Sequence, residues 1–142
     1  MTAPRISAVL RQQVAEAFHF RCGYCQTSQR IIGPLLEIDH IIPEAQGGTS
    51  AEDNLCLACP MCNSHKADRI EAIDPDSPAS VRLFNPRAQN WEDHFEWIET
   101  GTLIRGKSPI GRATIAALNM NHPDVVLARQ LWVMAGWHPP RD

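Results

Sequence analysis

Apolar positions in the first twenty residues recur at helical spacing. Val9, Leu10, Val14, Ala17 and Phe18 share one side of a 3.6-residue repeat, and Ser7 stands where a capping hydroxyl is expected. The pattern then changes. Leu35 to His40 reads as a short strand that Pro43 ends, Gln46-Gly47-Gly48-Thr49 as a loop, and Leu55 to Ala58 as the returning strand. Pro60 opens a helix through Lys66 toward Ile70. Asp74 to Pro78 is rich in turn formers and marks a boundary. Beyond it, Phe95 to Ile98 and Thr102 to Arg105 flank Glu99-Thr100-Gly101 as a β-hairpin. Ser108-Pro109 starts a helix over Ile110 to Asn119. Pro123 starts a last one carrying Val126, Leu127, Gln130, Leu131 and Met134 on its faces. These elements predict an α+β chain, with a first unit over residues 1–73 and an extension over 74–142 that packs on it.

Composition alters this picture little. A chain of 142 residues holds one domain, or one small domain with an extension, and can build only a modest core. With 44% hydrophobic and 20% charged residues it reads as an ordinary globular chain. No apolar run reaches the ~18 residues of a membrane span. Met1 to Leu10 lacks the basic-then-apolar design of an export signal, so the expected location is cytoplasmic. Thiols stay reduced there, and paired cysteines more often bind metal than form disulfides. The four Trp residues (Trp91, Trp97, Trp132 and Trp137) all lie in the extension and are expected to pack in its core. A net charge of -3 does not advertise nucleic-acid binding, though bound cations would offset it.

The chemistry is concentrated between two C-x-x-C pairs. Cys22 with Cys25 and Cys59 with Cys62 read as one four-thiolate zinc site, the kind of staple a thin core needs. The bland alternative is reduced cysteines in a core. Cys56 is left over and reads as a small buried apolar residue. Inside this frame stands Glu37-Ile38-Asp39-His40. Hydrolysis of a phosphodiester needs an activated water, a proton acceptor and positive charge at the phosphate. Imidazole, titrating ordinarily near pH ~6.5, suits the second role. Asp39 and His40 are adjacent, so a regular strand turns them to opposite faces, and one site needs a strand end or bend there. Asn63 follows a zinc ligand directly and offers a neutral hard oxygen compatible with Mg²⁺ or Mn²⁺. Lys66 and Arg69 lie on the helix beyond it, to meet phosphate or to form a solvated face. Glu37 shares the Asp39 face, as a partner of the site or as a solvated carboxylate. His65 is a lesser candidate ligand, and His19, His94, His122 and His138 are expected to be structural or exposed.

The ordered set Cys22-x-x-Cys25, Ile38-Asp39-His40-Ile41-Ile42-Pro43, Gly47-Gly48, Asn54-Leu55 and Cys59-x-x-Cys62-Asn63-x-x-Lys66 resembles the HNH endonucleases with a zinc-bound core. The likeness runs from about Arg21 to Arg69. It implies a small ββα-metal, treble-clef-like core with an N-terminal helix and a C-terminal hairpin-plus-helices extension. It also implies a DNA endonuclease in which His40 is the general base and Asn54 keeps it oriented across the loop. Asp39 and Asn63 would hold one divalent ion, Mg²⁺ or Mn²⁺, beside the structural Zn²⁺. The segment Arg82 to Arg87 and Gly111-Arg112-Ala113-Thr114 resemble an extension seen after some bacterial HNH cores. The competing reading is a four-cysteine zinc module that binds nucleic acid or protein without cleaving it. It leaves the set Asp39, His40, Asn54 and Asn63 without a purpose.

Overall fold

The computed structural model describes residues 6–141. It shows the α+β architecture. Helix α1 (Ala8–Ala17) starts at Ser7, whose hydroxyl accepts from the Leu10 N–H. Only Val14 of its apolar face is fully buried, and Val9 is exposed. After a turn through Cys22–Cys25 and the short helix α2 (Gln29–Ile32), strands β1 (Glu37–His40) and β2 (Leu55–Ala58) pair antiparallel, Asp39 opposite Cys56 and His40 opposite Leu55. Helix α3 (Pro60–Lys66) follows at once and packs on β1, completing the ββα unit. It stops at Lys66 because Ala67 takes a positive φ, so the helix does not continue toward Ile70.

Strands β3 (Glu71–Ile73) and β4 (Ser80–Arg82) form a hairpin around the Asp74–Pro78 turn. The sequence marks that turn but not its flanking strands. Asp74 is buried and receives two hydrogen bonds from the Arg112 guanidinium, at 3.0 and 2.9 Å. Those bonds, helped by the Asp76 N–H, hold its carboxyl below the usual carboxylate value. Stabilisation from this pair is therefore complete above the unfolded carboxyl pKa of about 3.9 and is lost as pH falls through the lower folded value. In melting curves against pH, wild type should exceed Asp74→Asn near neutrality, and the gap should close in acid.

Short helix α4 (Trp91–His94) leads into the hairpin of β5 (Phe95–Ile98) and β6 (Leu103–Gly106), and α5 (Pro109–Leu118) begins at the Ser108 cap. Helix α6 (Pro123–Met134) closes the fold. Its inward residue is Arg129, whose guanidinium donates to the carbonyls of Thr102 and Met120. Leu127, Leu131 and Met134 face outward instead. Trp91, Trp97 and Trp132 are half-buried, and Trp137 is 63% exposed, so the expectation that all four tryptophans are core fails most clearly at Trp137. Among the described residues no helix is long and apolar enough to cross a membrane.

One core runs through the molecule, with Cys22, Tyr24 and Cys62 packed in the same cluster as Phe84, Phe95 and Leu118. The Arg82–Arg87 segment makes that junction. Phe84 is buried, and its N–H donates to the Thr114 hydroxyl at 2.9 Å. Asn85 turns the chain by accepting from the N–H groups of Arg87 and Ala88. Arg87 donates to the Leu55 carbonyl and lies over the Phe18 ring. Gly23 is required here for space. A Cβ there would come within 3.0 Å of Pro86 and 3.1 Å of Phe18, so the glycine lets the extension press against the cysteine turn.

Candidate metal centre and catalytic groove

Two knuckles build the cysteine centre. In the first, the Tyr24 and Cys25 N–H groups both donate to Cys22 Sγ at 3.4 Å. In the second, Cys59 is the N-cap of α3 and accepts from the Cys62 N–H at 3.4 Å. The helix start thus supplies donors to thiolate sulfur. All four Sγ atoms lie within 4.8 Å of one another, and Cys25 and Cys59 are 3.6 Å apart. A zinc tetrahedron with ~2.3 Å bonds has sulfur–sulfur edges of about 3.8 Å, so the donor set fits such an ion. Burial pushes the Cys22 thiol up, while hydrogen bonds from the neighbouring cysteines and Thr27 draw Cys25 down. A bound cation removes that conflict by favouring every thiolate at once. Cys56 lies outside the quartet, its Sγ 3.7 Å from both Tyr24 Oη and Asp39 Oδ2. Burial pushes its thiol up, as befits an inert core cysteine.

Beside the quartet, β1 and α3 border a groove of about 620 Å³ lined by Asp39, His40, Asn63 and Glu37 among others. Strand alternation does turn Asp39 and His40 apart. Asp39 faces inward: Oδ2 accepts from the Tyr24 hydroxyl at 2.8 Å and sits 3.2 Å from Lys66 Nζ, whereas Oδ1 has only a long contact of 3.4 Å to the same ammonium. His40 turns the other way and lies half-buried, with Nε2 2.9 Å from Ser50 Oγ and 3.4 Å from Glu44 Oε1. Both residues nevertheless border the groove, because β1 ends at His40.

Asn54 braces the loop between the strands. Its Oδ1 accepts from the Ile42 N–H at 2.9 Å, and Nδ2 donates to the carbonyls of Ile42 at 2.9 Å and Thr49 at 2.7 Å. It acts on the segment that follows His40 and makes no hydrogen bond to the imidazole. Gly48 permits the tight crossing there, since a Cβ at that position would fall 1.6 Å from the Ile42 carbonyl oxygen. Asn63, on the first turn of α3, donates from Nδ2 to Glu37 Oε1 at 2.9 Å, which makes Glu37 a partner of the site rather than a merely solvated carboxylate.

The two basic residues expected to meet phosphate are occupied otherwise. Lys66 is 1% exposed, bonded to the His40 carbonyl at 2.9 Å and to Asp39. Its short helix ends against β1, so the ammonium is drawn under the strand instead of into solvent. Arg69 spans the carbonyls of His65 and Ala117, at 2.6 and 2.8 Å, tying the ends of α3 and α5 together. His65 itself bonds the Met61 carbonyl within α3. Breaking a buried ion pair by removing one partner typically costs about 3–5 kcal/mol. Lys66→Met should therefore lower the melting temperature sharply, and far less when Asp39→Asn is already present. A similar cost in both backgrounds would show that the pair does not hold the strand.

Tyr24, Ser50 and Glu44 are members of the site that sequence reasoning missed. Glu44 lies four residues after His40 and Ser50 two after Gly48, spacings that carry no signal without the loop geometry.

A ββα unit with four cysteines at its base and an Asp-His strand end beside its helix defines a zinc-stapled, ββα-metal type of protein. Residues 22–69 match the family model for HNH endonuclease. No curated protein matches the chain significantly.

Proposed function

We propose that the protein is a metal-dependent DNA endonuclease acting at the His40 groove. The observation that carries this reading is the convergence of Asp39, His40 and Asn63 on one groove within the HNH-matching segment. Residues 1–73 form the nuclease unit, and 74–142 an extension that packs on it.

His40 is the general base. Its Nε2 faces Ser50 and Glu44, and with the proton there, Nδ1 carries the lone pair. Among the described residues no hydrogen bond forms at Nδ1, so a water at that nitrogen can surrender its proton as it attacks phosphorus. Glu44 then stabilises the imidazolium, and Asn54 keeps the loop in register. Hard oxygens at Asp39, Asn63 and Glu37 make a donor set suited to Mg²⁺ or Mn²⁺. Asp39 and Asn63 would hold that ion, with Glu37 orienting the Asn63 amide through its hydrogen bond. When bound, the ion neutralises charge at the scissile phosphate and the departing 3′ oxygen. The products are a 5′-phosphate and a 3′-hydroxyl. Lys66 supports the reaction indirectly, by holding the His40 carbonyl and the Asp39 carboxylate.

The test is cleavage of supercoiled plasmid by zinc-loaded protein over a Mg²⁺ and Mn²⁺ series, with end-labelling of the products. Wild type should cut only with added divalent ion. Asn63→Ala should demand about 10–100-fold more ion, as loss of metal-site residues typically does. Cutting that is independent of added ion, or an unchanged requirement in Asn63→Ala, would overturn the assignment.

A further inference from the structure

The extension reaches into the first cysteine turn through Trp91, at the start of α4. Its indole N–H donates to the Tyr24 carbonyl at 2.7 Å, across 67 residues of sequence. The indole is itself held against Phe95 and Trp97, with ring centres 5.2 and 5.4 Å away. Tyr24 therefore has both ends of its backbone tied, since its own N–H donates to Cys22 Sγ at 3.4 Å. Its phenol is fully buried, and the hydroxyl donates to Asp39 Oδ2 at 2.8 Å. One residue thus joins the cysteine turn, the extension and a carboxylate that borders the His40 groove.

That phenol decides which way the Asp39 carboxylate faces. The terminal torsion of an aspartate is broad and roughly two-fold, so it needs a specific partner to fix it. Lys66 cannot do this, because its ammonium lies 3.2 Å from Oδ2 and 3.4 Å from Oδ1, close to both oxygens. Tyr24 bonds Oδ2 alone and breaks the tie. Cys56 Sγ, 3.7 Å from Oδ2, is too weak a donor to replace the hydroxyl. With Oδ2 taken by a hydroxyl and an ammonium, Oδ1 is the oxygen left to meet a cation.

We infer that Trp91 and Tyr24 are positioning residues through which the extension sets the divalent-ion affinity of the His40 groove. Trp91 holds the turn, the turn holds the phenol, and the phenol presents Asp39 Oδ1. Hydrogen-bond partners of metal ligands are commonly worth about 10–100-fold in metal affinity. The inference rests on the reading of that groove as the ion site of a nuclease. It gives residues 74–142 a part in the chemistry beyond packing.

Mn²⁺ uptake by zinc-loaded protein without DNA is followed by electron paramagnetic resonance, which counts the free ion. The proteins are wild type, Tyr24→Phe, Trp91→Phe, the double variant, and Trp137→Phe as a control at a largely exposed ring. Equal zinc content and matching circular dichroism confirm the fold of each. Tyr24→Phe should bind Mn²⁺ about tenfold more weakly while keeping full zinc, because only its backbone meets Cys22. Trp91→Phe should lose about threefold, the worth of one hydrogen bond, and nothing more when Tyr24→Phe is already present. Independent structural effects would multiply instead. In plasmid cleavage the Mn²⁺ concentration for half the maximal rate should rise by the same factors, with the rate recovered at saturating ion. Equal Mn²⁺ affinity and equal half-maximal Mn²⁺ in Tyr24→Phe and wild type, or losses that multiply in the double variant, would overturn the inference. Wild type that neither takes up Mn²⁺ nor cleaves would overturn the nuclease reading beneath it, which separates the two failures.

Discussion

Cys59→Ser should yield a protein that binds less than one equivalent of zinc and shows no cooperative melting transition. The expected effect is large because the quartet lies inside the molecule's one core. Cys22, Cys25 and Cys62 pack with Tyr24, and the same cluster reaches Phe84, Phe95 and Leu118 in the extension. Loss of the ion leaves buried thiols whose mutual repulsion and burial the cation had offset. It also frees two knuckles, one tied to β2 by the Gly23 N–H donating to the Leu57 carbonyl and the other capping the start of α3. Zinc contributes about 10–16 kcal/mol to folding in small zinc peptides, more than the typical ~5–15 kcal/mol net stability of a whole domain. Cys56→Ser, by contrast, should retain full zinc, because Cys56 lies outside the quartet. Metal analysis with calorimetry on both variants checks this. Full zinc and an unchanged transition in Cys59→Ser would remove the four-thiolate centre from the account.

His40→Ala should fold, keep its zinc and lose DNA cleavage by about 10²–10⁴-fold, the usual worth of a positioned proton acceptor. The fold survives because the side chain is half-buried at a strand end and its contacts, to Ser50 and Glu44, lie toward the loop. Lys66 grips the backbone carbonyl of residue 40, a contact that the substitution leaves in place. Asn54→Ala should lose activity and stability together, since the Asn54 amide makes three hydrogen bonds to the loop backbone. The contrast between the two variants separates the proposed proton acceptor from a residue that shapes the loop.

The ββα unit was legible because its signals are local. Pro43 and Pro60 punctuate the strands and helix, the return strand falls where its apolar run stands, and the cysteine pairs carry their own spacing. Less legible were features decided by distant partners. Lys66 reads on a helical projection as a groove-facing cation, yet Asp39 and the His40 carbonyl draw it inward across 27 and 26 residues of sequence. In α6 the apolar residues Leu127, Leu131 and Met134 suggest the buried side, but Arg129 takes that place because backbone carbonyls of Thr102 and Met120 lie beneath it. No window of sequence around Arg129 reveals those acceptors. The β3–β4 hairpin was hidden for another reason: its three-residue strands are too short to show a period.

The opposed directions of Asp39 and His40, expected from strand alternation, sharpened the site. Asp39 is anchored from below by Tyr24 and Lys66, while His40 is turned by Ser50 and Glu44 toward the far side of the same groove. Ending the strand at His40 lets both border one space without a bend inside it.

The most direct measurement of the central claim is the rate of plasmid cleavage by wild type and His40→Ala, both carrying full zinc, at saturating Mg²⁺. The account predicts conversion to nicked or linear DNA by wild type and a rate at least 10²-fold lower for the variant. Equal rates in the two proteins, or no cleavage by zinc-loaded wild type with either Mg²⁺ or Mn²⁺, would contradict it.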